Sequence, residues 1–190
     1  ANPDAVAIRS GDVRMTYREL EEQACRLADF LNVSAGITSG DRVGIFSDRS
    51  ADGVIILLGI LKLGAAFVPV DPETPPARAQ HIIASSKCKA VFCSERQYGS
   101  CIEILPDTTY RSDNLPHSAN HPALSVRRNF DPSISAYVLY TSGSTGDPKG
   151  CLISHRSLVN YIMWANDFYF DDHVRGNMAW FTSLAFDFTL

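Results

Sequence analysis

Between Tyr140 and Gly150 the chain reads Tyr-Thr-Ser-Gly-Ser-Thr-Gly-Asp-Pro-Lys-Gly, straight after the apolar residues that begin at Ala136. The segment carries three glycines, the hydroxyls of Thr141, Ser142, Ser144 and Thr145, and one cation, Lys149. Glycine has no Cβ, so the backbone can turn sharply there and approach a ligand closely. Freed amide N–H groups and hydroxyls donate to phosphate oxygens, and a lysine ammonium adds a mobile positive charge. A strand that ends in such a loop is suited to holding a polyphosphate. The same residue types also build ordinary solvated turns, so composition alone leaves both readings open. The order is not that of a Walker A loop, which ends in Gly-Lys-Ser/Thr. Here Asp147 and Pro148 separate Gly146 from Lys149, and Gly150 stands where the hydroxyl residue belongs.

The ordered string resembles the phosphate loop of the adenylate-forming enzymes: acyl-CoA synthetases, luciferases and the adenylation domains of nonribosomal peptide synthetases. Three other segments are similar to that family in the same order. Met15-Thr16-Tyr17-Arg18-Glu19-Leu20 is like its early "T-Y-x-E-L" segment. Leu61 to Asp71, Leu-Lys-Leu-Gly-Ala-Ala-Phe-Val-Pro-Val-Asp, is like its "L-K-x-G-x-A-(Y/F)-x-P-(L/V)-D" segment. Phe186-Asp187-Phe188-Thr189 is like the "F-D-x-S" segment of amino-acid-activating members, with Thr where Ser is usual. The resemblance spans nearly the whole chain and is strongest to the N-terminal part of an amino-acid-activating adenylation domain.

The resemblance implies a two-stage chemistry. A carboxylate attacks the α-phosphorus of ATP, giving an acyl-adenylate and pyrophosphate; a thiol on a phosphopantetheine arm then takes the acyl group. The first stage depends more on positioned donors and positive charge than on proton transfer. By match to the family's loop, Thr141, Ser142, Gly143, Ser144, Thr145 and Gly146 are expected at the β- and γ-phosphates. Lys149 is expected there too, as the catalytic point charge. Asp187 is expected to pair with a substrate α-ammonium; an N-cap role for it stays open beside that one. The implied partners are an amino acid and a carrier protein domain. Mg²⁺ is implied as well, but its family ligands have no match among these residues, so no metal ligand is assigned. The family's adenine, ribose and second lysine elements are likewise unmatched, and the 190 residues alone are expected to be inactive. An acyl- or aryl-CoA ligase, or a noncatalytic nucleotide- or partner-binding module, remains as the alternative.

The elements that must carry these residues follow from apolar periodicity. Ala5 to Ile8 and Val13 to Tyr17 flank Ser10-Gly11-Asp12 and predict a hairpin. Thr16 and Glu19 fit a capping box, followed by helical spacing at Leu20, Ala24, Leu27 and Leu31, with Gly36 as a stop. Strands are expected at Val43 to Phe46, Ala66 to Val70 and Ala90 to Cys93. Between them, Ser50 opens a helix ending at Gly64, and Thr74 with Pro75 and Pro76 opens another through Ile83. This alternation predicts an α/β fold, a mostly parallel sheet flanked by helices. From residue 106 to 132 the pattern dissolves into a long loop or short irregular strands, a possible subdomain boundary. Order returns with Ile134 to Tyr140 and Cys151 to Ser154. A helix then starts near His155, with Leu158, Ile162 and Ala165 inward. Ala179 to Thr182 reads as a strand, and Trp164 and Trp180 as core.

A net charge of -4 offers no electrostatic argument for nucleic acid or an anionic membrane. No apolar run approaches a membrane span of ~20 residues. No secretory leader opens the sequence, and a cytoplasmic protein is expected. Cys25, Cys88, Cys93, Cys101 and Cys151 lack Cys-x-x-Cys spacing and read as reduced thiols rather than a zinc set, Cys151 as a small apolar replacement.

Overall fold

The computed structural model describes residues 2–104, 107–115, 130–142, 148–169, 178–180 and 182–185. The chain opens with an antiparallel hairpin, β1 (Val6–Ser10) and β2 (Val13–Thr16). Helix α1 (Tyr17–Val33) starts on the expected capping box: the Glu19 amide donates to Thr16 Oγ1 at 3.2 Å, and the Thr16 amide donates to Glu19 Oε2 at 2.7 Å. Two of the helix's orphan N-terminal donors are thereby satisfied reciprocally.

Six strands build the main sheet: β3 (Arg42–Phe46), β4 (Ala66–Pro69), β5 (Ala90–Cys93), β6 (Thr109–Arg111), β7 (Ser135–Ser142) and β8 (Pro148–Ser154). Their spatial order is β6-β5-β3-β4-β7-β8, parallel throughout except for the final β7–β8 pair. Side chains alternate across a strand, and here both faces are covered. Val43, Ile45, Phe67 and Phe92 pack against α1 and α2 (Ala51–Lys62) through Leu27, Leu31, Ile56 and Ile60. Their chain neighbours Phe46, Val68, Val91 and Cys93 point the other way, onto Ala79, Ile82, Ile83 and Cys101 of α3 (Pro76–Ser85) and α4 (Glu95–Ile102). Each large apolar side chain so buried contributes about 1.5–3 kcal/mol. Exposed ion pairs such as Arg18–Asp4 and Arg96–Glu73 contribute about 0–1 kcal/mol each, so the two apolar layers decide the fold.

Helix α2 begins where Ser50 Oγ accepts from the Gly53 amide at 3.0 Å and is followed by Gly64 at φ +73°. A Cβ at Gly64 would lie 2.7 Å from the Phe130 ring, so both conformation and space demand glycine there.

Several local expectations need correction. Helix α3 takes Pro75 as its N-cap without a side-chain cap bond; the Thr74 amide instead donates to the Asp71 carbonyl at 2.9 Å in the preceding turn. Helix α4 was not foreseen, because its sequence, Glu-Arg-Gln-Tyr-Gly-Ser-Cys-Ile, lacks an apolar period. Helix α5 (His155–Tyr169) buries His155; Leu158 and Ala165 are half-buried, and Ile162 is exposed. Trp164 is also exposed, stacking on Phe168 with ring centroids 5.2 Å apart rather than entering the core. Residues 178–180 and 182–183 are irregular where a strand was expected, and Trp180 is half-buried beside Gly53. Within the segment 106–132, Thr109–Arg111 joins the sheet as β6, while 116–129 lie outside the described residues.

The thiols of Cys25, Cys88, Cys93 and Cys101 are free and buried. Burial pushes Cys88 up to about 11. Cys151 is exposed rather than apolar filler.

Candidate functional site

Lys149 sits in a strand, not in a loop. Strand β8 begins at Pro148, three residues before the expected start at Cys151, and pairs antiparallel with β7. The ladder places Tyr140 opposite Gly150, Thr141 opposite Lys149 and Ser142 opposite Pro148. Proline is tolerated there because the first residue of an edge strand needs no ladder donor. The Thr141 hydroxyl and the Lys149 ammonium therefore share one face at the tip of the hairpin, and both residues are exposed. Gly143, Ser144, Thr145 and Gly146 lie outside the described residues, as does Asp187; Ser142 is described by its backbone. Of the expected site, the structure thus brings together Thr141 and Lys149.

Strand β7 is parallel to β4, so its last residue, Ser142, lies at the same edge of the sheet as Phe46, Pro69 and Cys93. In open α/β sheets ligands bind in the crevices beyond the carboxyl ends of the strands. Among the described residues, clefts line this edge. One of about 330 Å³, next to the hairpin, is lined by Pro69, Asp71, Thr74, Arg78 and Tyr140. A second of about 300 Å³ is bounded by Ser47, Asp48, Arg49, Trp180 and Ser183. A third, of about 230 Å³, lies between Phe46, Gln97 and Cys101. Asp71, from the Pro-Val-Asp segment, shapes this edge: its Oδ1 accepts from the Glu73 amide at 2.8 Å and turns the chain away from β4.

Sequence reasoning missed Arg78 and the lateral role of Tyr140. No motif marks Arg78, which needs the fold to bring α3 beside the hairpin. Tyr140 read as the last apolar residue of a strand, yet its hydroxyl lies 2.9 Å from Ser85 Oγ.

His155, first residue of α5, packs against Phe130 with ring centroids 4.7 Å apart and ring planes tilted by 56°. Burial holds its pKa below the usual imidazole value, opposed by a backbone hydrogen bond at Ala65. Nε2 is buried with no hydrogen-bond partner among the described residues. The ring is therefore satisfied by backbone on one side only.

A family model described as AMP-binding enzyme matches residues 1–190. The chain belongs to the AMP-binding enzyme family. It is 40% identical over 171 residues to surfactin synthase subunit 2 of Bacillus subtilis (strain 168), covering 87% of this chain and 4% of that protein. It is 36% identical over 197 residues to bacitracin synthase 3 of Bacillus licheniformis, covering 99% and 3%. Against indigoidine synthase of Streptomyces lavendulae it is 37% identical over 175 residues, covering 88% and 13%. The solved nonribosomal peptide synthetase FmoA3 superposes with a TM-score of 0.80 at 27% identity, over 98% of this chain and 19% of that one. A form of the same synthetase bound to α-methyl-L-serine-AMP superposes at 0.75 with 28% identity, over 88% and 18%. The α/β sheet described above thus matches the fold of part of these solved nonribosomal peptide synthetases. The chain spans 13% or less of the length of these curated relatives.

Proposed function

We propose that these residues form the N-terminal, phosphate-holding portion of an enzyme that activates an amino acid as its adenylate and passes it to a phosphopantetheine thiol on a carrier protein. The observation that carries the reading is the Thr141–Lys149 pair at the carboxyl edge of the sheet. An exposed hydroxyl donor and an exposed ammonium are the groups a polyphosphate requires.

In this reading ATP is a substrate. An oxygen of the amino acid's carboxylate bonds to the α-phosphorus, the bond from that phosphorus to the β-bridging oxygen breaks, and pyrophosphate leaves with the electron pair. Thr141 donates a hydrogen bond to the phosphates, and Lys149 lies against the negative charge that grows on the leaving group. Ser142 at the end of β7, and Gly143, Ser144, Thr145 and Gly146 between β7 and β8 in the sequence, belong to the same proposal as phosphate-binding residues, and Asp187 as the partner of the α-ammonium. Bound Mg²⁺ would neutralise phosphate charge; its ligands are not assigned to these residues. The segment 106–132 is proposed as a boundary between subdomains, since the chain crosses there from β6 at one side of the sheet to β7 at the other. No described helix is long and apolar enough to cross a membrane, which agrees with the proposed cytoplasmic setting.

The test is amino-acid-dependent exchange of labelled pyrophosphate into ATP, run on the full synthetase across a panel of amino acids and plain carboxylic acids. Exchange driven by an amino acid is expected. Exchange driven by an aryl or fatty acid alone, or by none, would overturn the reading.

A further inference from the structure

We propose that Tyr140 is a positioning residue that latches the hairpin carrying Lys149 to the end of α3; the proposal rests on the phosphate role given to Lys149 above. The ladder between β4 and β7 pairs Phe67 with Tyr137. Continuing that register places Pro69, the last residue of β4, opposite Leu139. The hairpin from Tyr140 to Ser142 and Pro148 to Gly150 therefore projects past the strand that supports it. Among the described residues β8 has β7 as its one neighbour, so within them the ladder alone holds this end from one side.

Tyr140 supplies the sideways hold. Its ring packs with the apolar layer formed by α3 and α4. The Tyr140 Oη and Ser85 Oγ atoms are 2.9 Å apart, and Ser85 Oγ lies 2.6 Å from the His81 carbonyl. A serine hydroxyl has one hydrogen, and the shorter contact to a pure acceptor takes it. Ser85 must then accept from Tyr140, which makes the phenol the donor and gives the latch a direction. Across the ladder, a Cβ at residue 150 would come within 3.2 Å of the Tyr140 ring, so Gly150 lets that ring lie flat against β8 next to Lys149. Tyr140 and Gly150 face α3, whereas their neighbours Thr141 and Lys149 face the opposite side. Tyr140 touches none of the reacting atoms; it fixes where Lys149 stands, and a small misplacement of a charge-stabilising group costs rate.

The experiment uses the full synthetase with Tyr140→Phe, which keeps the ring and removes the hydroxyl, and Ser85→Ala, which removes the acceptor. Each is expected to lower kcat/KM for ATP about fivefold, with the pair no worse than either alone, as two ends of one contact require. On a Lys149→Ala background, Tyr140→Phe should change kcat/KM by less than about 1.5-fold, because the group it positions is gone. A general loss of stability would not spare that background. Amide hydrogen exchange of residues 149–154 provides a readout independent of activity and should quicken in Tyr140→Phe. Unchanged amide exchange, or an equal loss with and without Lys149, would overturn the latch. If the wild-type synthetase shows no acid-dependent exchange while these amides still loosen in Tyr140→Phe, the latch stands and the adenylation reading falls.

Discussion

Tyr140 and Gly150 face each other across the β7–β8 ladder so closely that the tyrosine ring lies 3.2 Å from where a side chain at position 150 would begin. Val138 Cγ1 closes the same space from 3.0 Å. Gly150→Ala must push one of these two side chains aside by a few tenths of an ångström. Overpacking of this kind costs about 1–3 kcal/mol, and the β-branched Val138, buried at 2% exposure, has little room to give. We expect a lower urea midpoint with an unchanged denaturant slope. A midpoint equal to wild type would show that the hairpin adjusts freely and that the close approach is incidental.

Lys149 makes the opposite prediction. It is exposed and has no ion pair among the described residues, so Lys149→Ala should leave the unfolding midpoint nearly unmoved. Adenylate formation by the full synthetase should slow by ~10-fold or more, equivalent to ~1.4 kcal/mol of lost transition-state stabilisation. Retained rate in a well-folded variant would remove Lys149 from the phosphate site.

The contrast between these two neighbours shows which features can be read from sequence. Thr16 with Glu19, Ser50 and Gly64 were legible because caps and left-handed stops depend on residues within one or two turns. The Val43–Phe46 and Ala90–Cys93 strands were legible because continuous burial leaves unbroken apolar runs. The pairing of Lys149 with Thr141 was not, since the turn between them gives no sign of whether the next strand returns antiparallel or moves on. Ser85 is farther still, 55 residues from Tyr140, and a single serine at a helix end carries no signal of its distant partner. Helix α5 misled for the reverse reason: its period promised burial, yet Tyr161, Trp164 and Phe168 cluster on one another at the surface.

His155 predicts how stability depends on pH. Burial beside Phe130 disfavours the imidazolium, so the folded-state pKa lies below the ordinary 6.5, with the Ala65 backbone bond opposing part of that shift. The unfolded chain then binds more protons than the native one as pH drops below 6.5, and stability must fall in that window. Above 6.5 the contribution is fully present. Asp41 does not confound the measurement. Burial raises its pKa, but bonds from Lys89 and Thr38 outweigh this and hold it under its usual 3.8, well below the window. Urea midpoints measured from pH 7.5 to 5 should decline for wild type and decline less for His155→Asn. Parallel slopes for the two proteins would mean that His155 is readily protonated in place.

The last prediction concerns substrate choice at Asp187, in the Phe-Asp-Phe-Thr segment. A carboxylate that meets the substrate's α-ammonium in a partly desolvated pocket is matched to a cation, and removing it strands that cation. In the full synthetase, Asp187→Ala should therefore impair activation of the amino acid far more than activation of its des-amino analogue. Losing one partner of such a charged pair costs ~2–5 kcal/mol, much of it the penalty of the uncompensated charge. The analogue brings no ammonium and should lose less, or gain. A helix-capping role predicts a different pattern: stability down by ~0.5–2 kcal/mol and both substrates affected alike. Values of kcat/KM for the two acids, with a melting curve for each variant, separate the cases. Equal losses for both acids would take Asp187 out of the binding pocket and favour a ligase acting on plain carboxylic acids.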